Sequence, residues 1–302
     1  MENVYNFISV TVSPVLFMLN LACKVQRRLK ARPWPLENKV VLITGASSGI
    51  GEEIAYEYAR HGARIVLAAR REQELQRVEL KCRELGAKEV LSVPTDVGDE
   101  AQVANLIQKT REAFSSQLDA LYVNAGLSMG EPFEAFQDLS VFRTLMEVNY
   151  FGCISVTHQA LPLLKQTPQS RIVVTSSVAG LAGIPSRTGY CATKFAVRGF
   201  YEALQSELYD QGVFVTLVYP GAVVTNINAT RLGSGPADLD MKGAMTAETC
   251  AKLMVKATKQ GRKELVMTHK FKLGRMWEGM VPDLWALLVR RGAKKAFKEK
   301  SQ

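Results

Sequence analysis

The 302-residue chain contains no C-x-x-C pair. Its five cysteines (Cys23, Cys82, Cys153, Cys191 and Cys250) stand at least 38 residues apart, which excludes the usual zinc spacings. An odd, scattered set also excludes a disulfide framework and reads as thiols kept reduced. No metal site is expected. Internal repeats and low-complexity tracts are absent, so solenoids and propellers are excluded. No Gly-Lys-Ser/Thr follows the glycine-rich turn near residue 45, which disfavours a nucleotide triphosphatase. With 47% hydrophobic and 22% charged residues, the composition excludes disorder and collagen-like sequence. The length suits one large domain or two small ones.

What is present in excess is positive charge, 38 Lys and Arg against 29 Asp and Glu, a formal net charge of +9. It gathers at the ends: Lys24, Arg27, Arg28, Lys30 and Arg32, then Arg290, Arg291, Lys294, Lys295, Lys298 and Lys300. A nucleic-acid binder presents such charge as a patch on its folded domain. Basic ends beside apolar segments read instead as membrane-surface contacts, so a membrane is an expected partner and nucleic acid is not.

Val4 to Cys23 is 20 residues without a formal charge. At the helical rise that is about 30 Å, one hydrocarbon core. Pro14 lies near its middle, and Asn6, Ser9, Thr11, Ser13 and Asn20 interrupt its apolar character. Glu2 stands where a cleaved signal peptide would carry a base. The reading is an uncleaved anchor, either a Pro-kinked helix or a shallow hairpin. Arg32-Pro33-Trp34-Pro35 follows as a stiff interfacial linker. Residues 1–35 are thus assigned to anchor and linker.

From Lys39 onward, short β-rich runs alternate with amphipathic stretches. The runs are Lys39–Thr44, Arg64–Ala69, Glu89–Val93, Leu118–Val123, Arg171–Ser176, Val213–Tyr219 and Glu264–Thr268. Helical patterns between them include Gly49–His61, Arg71–Leu85, Asp99–Phe114, Leu139–Lys165 and Gly189–Gln211. Several runs lack in-out alternation, as strands buried on both faces do. This predicts an α/β fold, a Rossmann-type doubly wound parallel sheet of about seven strands with right-handed crossovers. It forms one domain over 36–270, with 226–245 as a substrate lid and 271–302 as a basic, amphipathic tail.

Three motifs carry chemistry. The first strand runs into Thr44-Gly45-Ala46-Ser47-Ser48-Gly49-Ile50-Gly51. Glycines there allow a sharp turn and close approach of backbone to a pyrophosphate, and the following helix offers free N–H groups. The second strand ends Ala69-Arg70-Arg71, where an NAD site usually places an acid. Guanidinium groups suit a 2′-phosphate, which favours NADP(H) as cofactor. Tyr190 and Lys194 sit four apart, on one face of a helix. A phenol is a poor base at neutral pH, and a nearby ammonium favours its anionic form. Ser177, thirteen residues upstream, closes a strand, where open α/β sheets place ligands.

With these motifs the chain closely resembles the short-chain dehydrogenase/reductases over about Lys39 to Thr268. Further matches are Asp96, Asn124-Ala125-Gly126, Asn149, and Pro220-Gly221 followed by Val223 and Thr225. The resemblance implies that Tyr190 is the general acid/base and Ser177 holds the substrate oxygen. It implies that Lys194 binds the nicotinamide ribose and assists Tyr190, and that Asn149 anchors a water in the proton relay. Gly45, Ser47 to Gly51, Arg70 and Arg71 would hold the phosphates, with Asp96 and Val97 at adenine. Asn124 to Gly126 would lie along the cofactor, which Pro220, Gly221 and Val223 would also bind, with Thr225 at the carboxamide. The membrane-anchored branch is most similar, including 11β-hydroxysteroid dehydrogenase type 1 and the plant steroleosins. Residues 161–166, Ser176 to Gly180 and Lys194-Phe195-Ala196 carry that likeness. The chain departs from the family pattern at Val123, where an Asn is usual, and at Ser48, where many NADP enzymes have a base.

The implied function is NADP(H)-dependent interconversion of a lipophilic alcohol and ketone, and the family implies a homodimer. Two rivals stay open: a catalytically silent membrane scaffold, and an NAD-dependent dehydratase or epimerase on nucleotide sugars. Met276 to Val289 reads as an interfacial helix, with core packing or a dimer contact as the alternative. The basic flank after the anchor places the catalytic domain in the cytosol, on the endoplasmic reticulum or a lipid droplet. The lysines at 298 and 300 resemble a dilysine retrieval signal. Asn228-Ala229-Thr230 is a glycosylation acceptor only in the lumen, so Asn228 is expected to carry no glycan. A glycosidase-sensitive mass shift abolished by Asn228→Gln would reverse that topology.

Overall fold

Val40–Thr44 (β1) is Val-Val-Leu-Ile-Thr, with every residue buried. A strand covered on both faces has no use for a polar side. The computed structural model describes residues 34–225, 227, 231–233, 243–268 and 271–272, with positions 18, 19, 22 and 287. The chain divides into two compact units, Met1–Pro35 and Leu36–Gln302, and the sheet belongs to the second. Most of the expected anchor over 4–23 and of the segment over 276–289, with Asn228, most of 226–245 and the dilysine tail, fall outside the described residues. Among the described residues no helix is long and apolar enough to cross a membrane.

After β1 come α1 (Gly49–Ala59), β2 (Arg64–Ala69), α2 (Glu72–Glu84), β3 (Glu89–Pro94), α3 (Glu100–Ala113) and β4 (Ala120–Val123). Then follow α4 (Ser140–Met146), α5 (Gly152–Gln166), β5 (Ser170–Thr175), α6 (Thr188–Glu207) and β6 (Val213–Tyr219). Two-residue strands β7 (Val223–Val224) and β8 (Met245–Thr246) pair with each other, and α7 (Ala247–Lys259) and β9 (Glu264–Val266) complete the order. The seven longer strands form one parallel sheet in the order β3-β2-β1-β4-β5-β6-β9, the α/β architecture expected. Val40 and Leu42 join Val103, Leu106, Val156 and Ala160 in a core shared with α3 and α5. Alternation along the strand turns Val41 and Ile43 to the other face, where α1 packs against α7.

The chain winds from β1 out to β3, then crosses back to place β4 on the other side of β1. That reversal leaves a crevice beyond the carboxyl ends of β1 and β4, the usual ligand position in an open α/β sheet. The opposite end is stapled by Asp119, which is buried. Its Oδ1 accepts from Lys39 Nζ at 2.7 Å, and its Oδ2 from Val40 N at 2.9 Å and Gln117 Nε2 at 2.6 Å.

Two elements differ from expectation. The single helix foreseen over Leu139–Lys165 is two helices joined by a π turn, Glu147–Phe151. One inserted residue shifts the buried stripe by about 100° without ending the helix, so the periodicity hides it. The helix α7 was not foreseen at all. Thr246 caps it, its Oγ1 accepting from Thr249 N at 3.2 Å. Smaller shifts occur at strand ends: β5 stops at Thr175, and Ser177 instead caps the 3₁₀ turn Val178–Gly180.

Candidate active site

The crevice is a cleft of about 350 Å³ walled by the carboxyl ends of six strands. After β1 stand Gly45, Ser47, Ser48, Gly49 and Ile50, and after β2 Arg70 and Arg71. After β3 come Asp96 and Val97, and after β4 Asn124, Ala125 and Gly126. Ser177 follows β5, and Pro220, Gly221, Val223 and Thr225 follow β6. Tyr190 and Lys194 on α6 close the wall. Of the residues singled out in the sequence, Gly51 and Asn149 alone lie behind the surface. Gly51 lies against the turn, where an added Cβ would run into the Gly45 carbonyl oxygen and approach Asn124 Nδ2 at 2.7 Å.

Thr44 Oγ1 locks β1 to β4. It accepts from Asn124 N at 2.9 Å and Ala125 N at 3.1 Å, and donates to Tyr122 O at 3.2 Å. The Asn124 side chain extends the tie, donating to Thr44 O at 3.2 Å and accepting from Thr175 Oγ1 at 3.1 Å. Val123, which replaces the usual first Asn, is a buried member of β4 and is not part of the cleft wall.

Asn149 sits on the π turn with no exposure to solvent. Its Oδ1 accepts from Leu127 N at 2.7 Å, and its Nδ2 donates to Leu127 O at 2.9 Å and Thr193 Oγ1 at 3.1 Å. The side chain is therefore committed to holding the β4 loop against α6. Lys194 is buried too, and its ammonium donates to Thr175 O at 3.0 Å. The same Nζ lies 5.6 Å from the centre of the Tyr190 ring. Ser177 Oγ accepts from Ala179 N at 3.2 Å, which fixes the hydroxyl's position and leaves its proton free to donate.

Arg71 folds over the glycine-rich turn, donating to Ser47 Oγ at 3.0 Å and Ser48 Oγ at 2.8 Å. A guanidinium thus occupies the neighbourhood of Ser48. Arg70 faces Asp96 at 3.8 Å. The helix start at Ser48 has no side-chain cap, whereas Asp99 caps α3 and Thr246 caps α7. Uncapped N–H groups beside a Gly-rich turn and a cation suit a bound pyrophosphate.

Sequence reasoning missed several walls of the cleft: Thr175, Ser176, Leu127, Ser128, Val148, Ile184 and Arg187. Most are apolar or small and carry no signal outside a fold. Arg187, three residues before Tyr190, was the one legible by charge. The four described cysteines are free and buried. Burial pushes the Cys82 and Cys250 thiols up to about 12 and that of Cys153 up to about 11, and also raises Cys191. None is a thiolate nucleophile at neutral pH. Among the described residues no group of acidic, His and Cys side chains is placed to hold a metal.

Fold and cleft define a dinucleotide-binding oxidoreductase, and comparison with known proteins supports this. Residues 39–233 match the family model described as short chain dehydrogenase. The human dehydrogenase/reductase SDR family member 7 is 33% identical over 279 residues, 89% of this chain and 82% of that protein. An 11-beta-hydroxysteroid dehydrogenase-like protein of Arabidopsis thaliana, 4A, is 39% identical over 228 residues, 75% of each chain. A short-chain dehydrogenase/reductase from Burkholderia phymatum, solved with NAD, superposes with a TM-score of 0.75 at 29% identity. It covers 83% of this chain and 96% of its own. An alcohol dehydrogenase from Thermococcus sibiricus, solved with 5-hydroxy-NADP, gives 0.67 at 32% identity, covering 76% and 95%. The chain belongs to the short-chain dehydrogenase/reductases. As a member, it is an oxidoreductase acting on a CH–OH group with a nicotinamide cofactor.

Proposed function

We propose that the chain is an NADP(H)-dependent oxidoreductase that interconverts a lipophilic alcohol and its ketone at a membrane surface. The observation that carries the reading is the convergence of Tyr190, Ser177 and Lys194 with Arg71 and the glycine-rich turn in one cleft. A silent scaffold needs none of these groups.

A nicotinamide cofactor, when bound in this cleft, would provide the hydride chemistry in either direction. Gly45 to Gly51 and the uncapped start of α1 would receive the pyrophosphate, and Arg71 with Arg70 the 2′-phosphate. Asp96 and Val97 would flank adenine, and Asn124 to Gly126 the middle of the cofactor. Pro220, Gly221 and Val223 would also bind the cofactor, with Thr225 at the carboxamide. Ser177 donates to the substrate oxygen and holds it at Tyr190. Tyr190 gives that oxygen a proton in reduction and takes it back in oxidation. Lys194 would bind the nicotinamide ribose. Asn149 would anchor the water that returns the proton.

Lipophilicity is supported by Leu127, Val148, Val178, Ile184 and Ile227 in the cleft wall. Phe133 and Leu139 stand 60% and 54% exposed on the segment between β4 and α4. Together with the uncharged stretch over 4–23 and its basic flank, they support action at the cytosolic face of the endoplasmic reticulum membrane. A homodimer remains part of the reading on family grounds.

Cofactor choice is directly testable. NADPH is expected to be preferred over NADH. Arg71→Ala should raise the KM for NADPH about tenfold, the equivalent of roughly 1.4 kcal/mol, and leave that for NADH nearly unchanged. Arg70→Ala should act in the same direction but less, because Asp96 already shares its charge. Fluorescence titration with both cofactors, followed by a turnover panel of steroids, retinoids and lipid ketones, checks it. Equal KM values for the two cofactors in the wild type would refute the NADP assignment, and absence of cofactor binding would refute the whole reading.

A further inference from the structure

Arg187 is the residue before the first turn of α6 and lines the cleft beside Tyr190. Its Nη1 donates to Ser128 Oγ at 2.9 Å, and its Cζ lies 5.9 Å from the centre of the Tyr190 ring. Those are its contacts among the described residues, and neither is an anion. Of the titratable neighbours acting on it, Tyr190 and Cys191 favour its charged form, and Arg231, another cation, opposes it. Burial is the main cause that holds the Arg187 guanidinium below its ordinary range, and Arg231 adds to it. An arginine kept half-buried without a carboxylate is costly for a fold that only needs packing.

The surroundings are built to keep it there. The loop 127–131 meets the segment 231–233 through Leu232 N to Ser128 O at 2.8 Å and Gly130 N to Leu232 O at 3.2 Å. Glu131 N donates to Ser186 O at 2.9 Å, tying the same loop to the residue before Arg187. Gly130 lets Arg231 lie close, since an added Cβ would sit 2.8 Å from Arg231 Nη1. Arg187 is thus held beside the proton donor, with Arg231 against Gly130 on the neighbouring segment, and it is remote in sequence from the Arg70 and Arg71 end.

From this we infer that the substrate is an amphiphile bearing an oxyanion close to its reacting carbonyl or hydroxyl, and that Arg187 binds that oxyanion. The inference rests on the oxidoreductase reading of the same cleft and specifies its substrate class. A guanidinium fork matches the paired oxygens of a carboxylate or phosphoryl group. Its place beside Tyr190 means that anion recognition also orients the reacting oxygen toward the phenol. The rest of the wall, Leu127, Val148 and Ile184, would take the hydrocarbon portion.

The test compares 4-oxododecanoate with its methyl ester and with the matching ketophosphonate. Binding is followed by calorimetry on the full chain with oxidised cofactor, and turnover separately with NADPH. The wild type should bind the acid at least tenfold more tightly than the ester. Arg187→Gln should bring the acid-to-ester ratio near one, and Arg187→Lys should restore part of it. A ketophosphonate that outcompetes the acid identifies a phosphoryl group as the preferred anion and supports the inference. Equal affinity for acid and ester in the wild type overturns it, whatever the variants do. So does a ratio that Arg187→Gln leaves unchanged. Tight, charge-selective binding without turnover of any ketone or alcohol would sustain anion recognition and overturn the oxidoreductase reading instead.

Discussion

Tyr190→Phe is expected to lower kcat by about 10²–10⁴-fold, the usual contribution of a positioned general acid–base group. The affinity for cofactor should stay within about twofold, well under the 1.4 kcal/mol that a tenfold change represents. The ring is buried, its backbone N–H donates to Met129 Sδ at 3.2 Å, and Lys194 and Arg187 flank it at 5.6 and 5.9 Å. None of these contacts involves the phenolic oxygen, so phenylalanine keeps the packing and removes one atom. Steady-state kinetics with the best ketone from the panel, together with a cofactor titration, separates the two effects. Wild-type kcat in the Phe variant would remove Tyr190 from the mechanism.

The second large effect is expected from a single methyl group. Gly51→Ala adds a Cβ that meets the Gly45 carbonyl oxygen and, at 2.7 Å, the Asn124 amide. The first is backbone and the second is a side chain held by its bonds to Thr44 and Thr175, so α1 must back away from the turn. Overpacking of this kind costs about 1–3 kcal/mol, and a chain of this size loses about 2–4 °C of Tm per kcal/mol. Cofactor affinity should fall about tenfold or more, because the helix start and the turn separate. Gly199→Ala is the control: nothing lies within 4 Å of its added Cβ, and it sits inside α6. That change should be neutral or slightly stabilising. Unaltered Tm and cofactor affinity in Gly51→Ala would show that the close approach at Gly51 is not needed.

The sheet was legible because its strands are buried on both faces, and short β-branched runs such as Val-Val-Leu-Ile in β1 or Ile-Val-Leu-Ala-Ala in β2, bounded by turns, fit a buried strand. The cleft was legible because strand ends in a parallel sheet bring short motifs together from distant positions. The π turn was not, since inserting one residue near Asn149 leaves helical periodicity on either side intact. The helix α7 did leave a trace. Thr246 precedes Glu248, and Cys250, Ala251, Met254, Val255, Ala257 and Thr258 form a buried stripe. Its position after an irregular Gly- and Pro-containing stretch masked it. Arg71 was read toward a phosphate, yet its present partners, Ser47 and Ser48, lie 24 and 23 positions away and could be found only in three dimensions. The bond from Arg187 to Ser128, 59 positions away, was hidden for the same reason.

The bond between Thr44 Oγ1 and Asn124 N joins residues 80 positions apart. Closing so long a loop before any local contact repays it makes the meeting of β1 and β4 a demanding event in folding. The cleft is created by that meeting, so a partly folded chain has no cofactor site to offer. A ligand that spans the seam binds the finished sheet alone, and at a hundred times its Kd it would add about 2.7 kcal/mol to the folded state. Cofactor supply in the cell would thereby set how much of this polypeptide survives surveillance by proteases as well as how fast it turns over substrate.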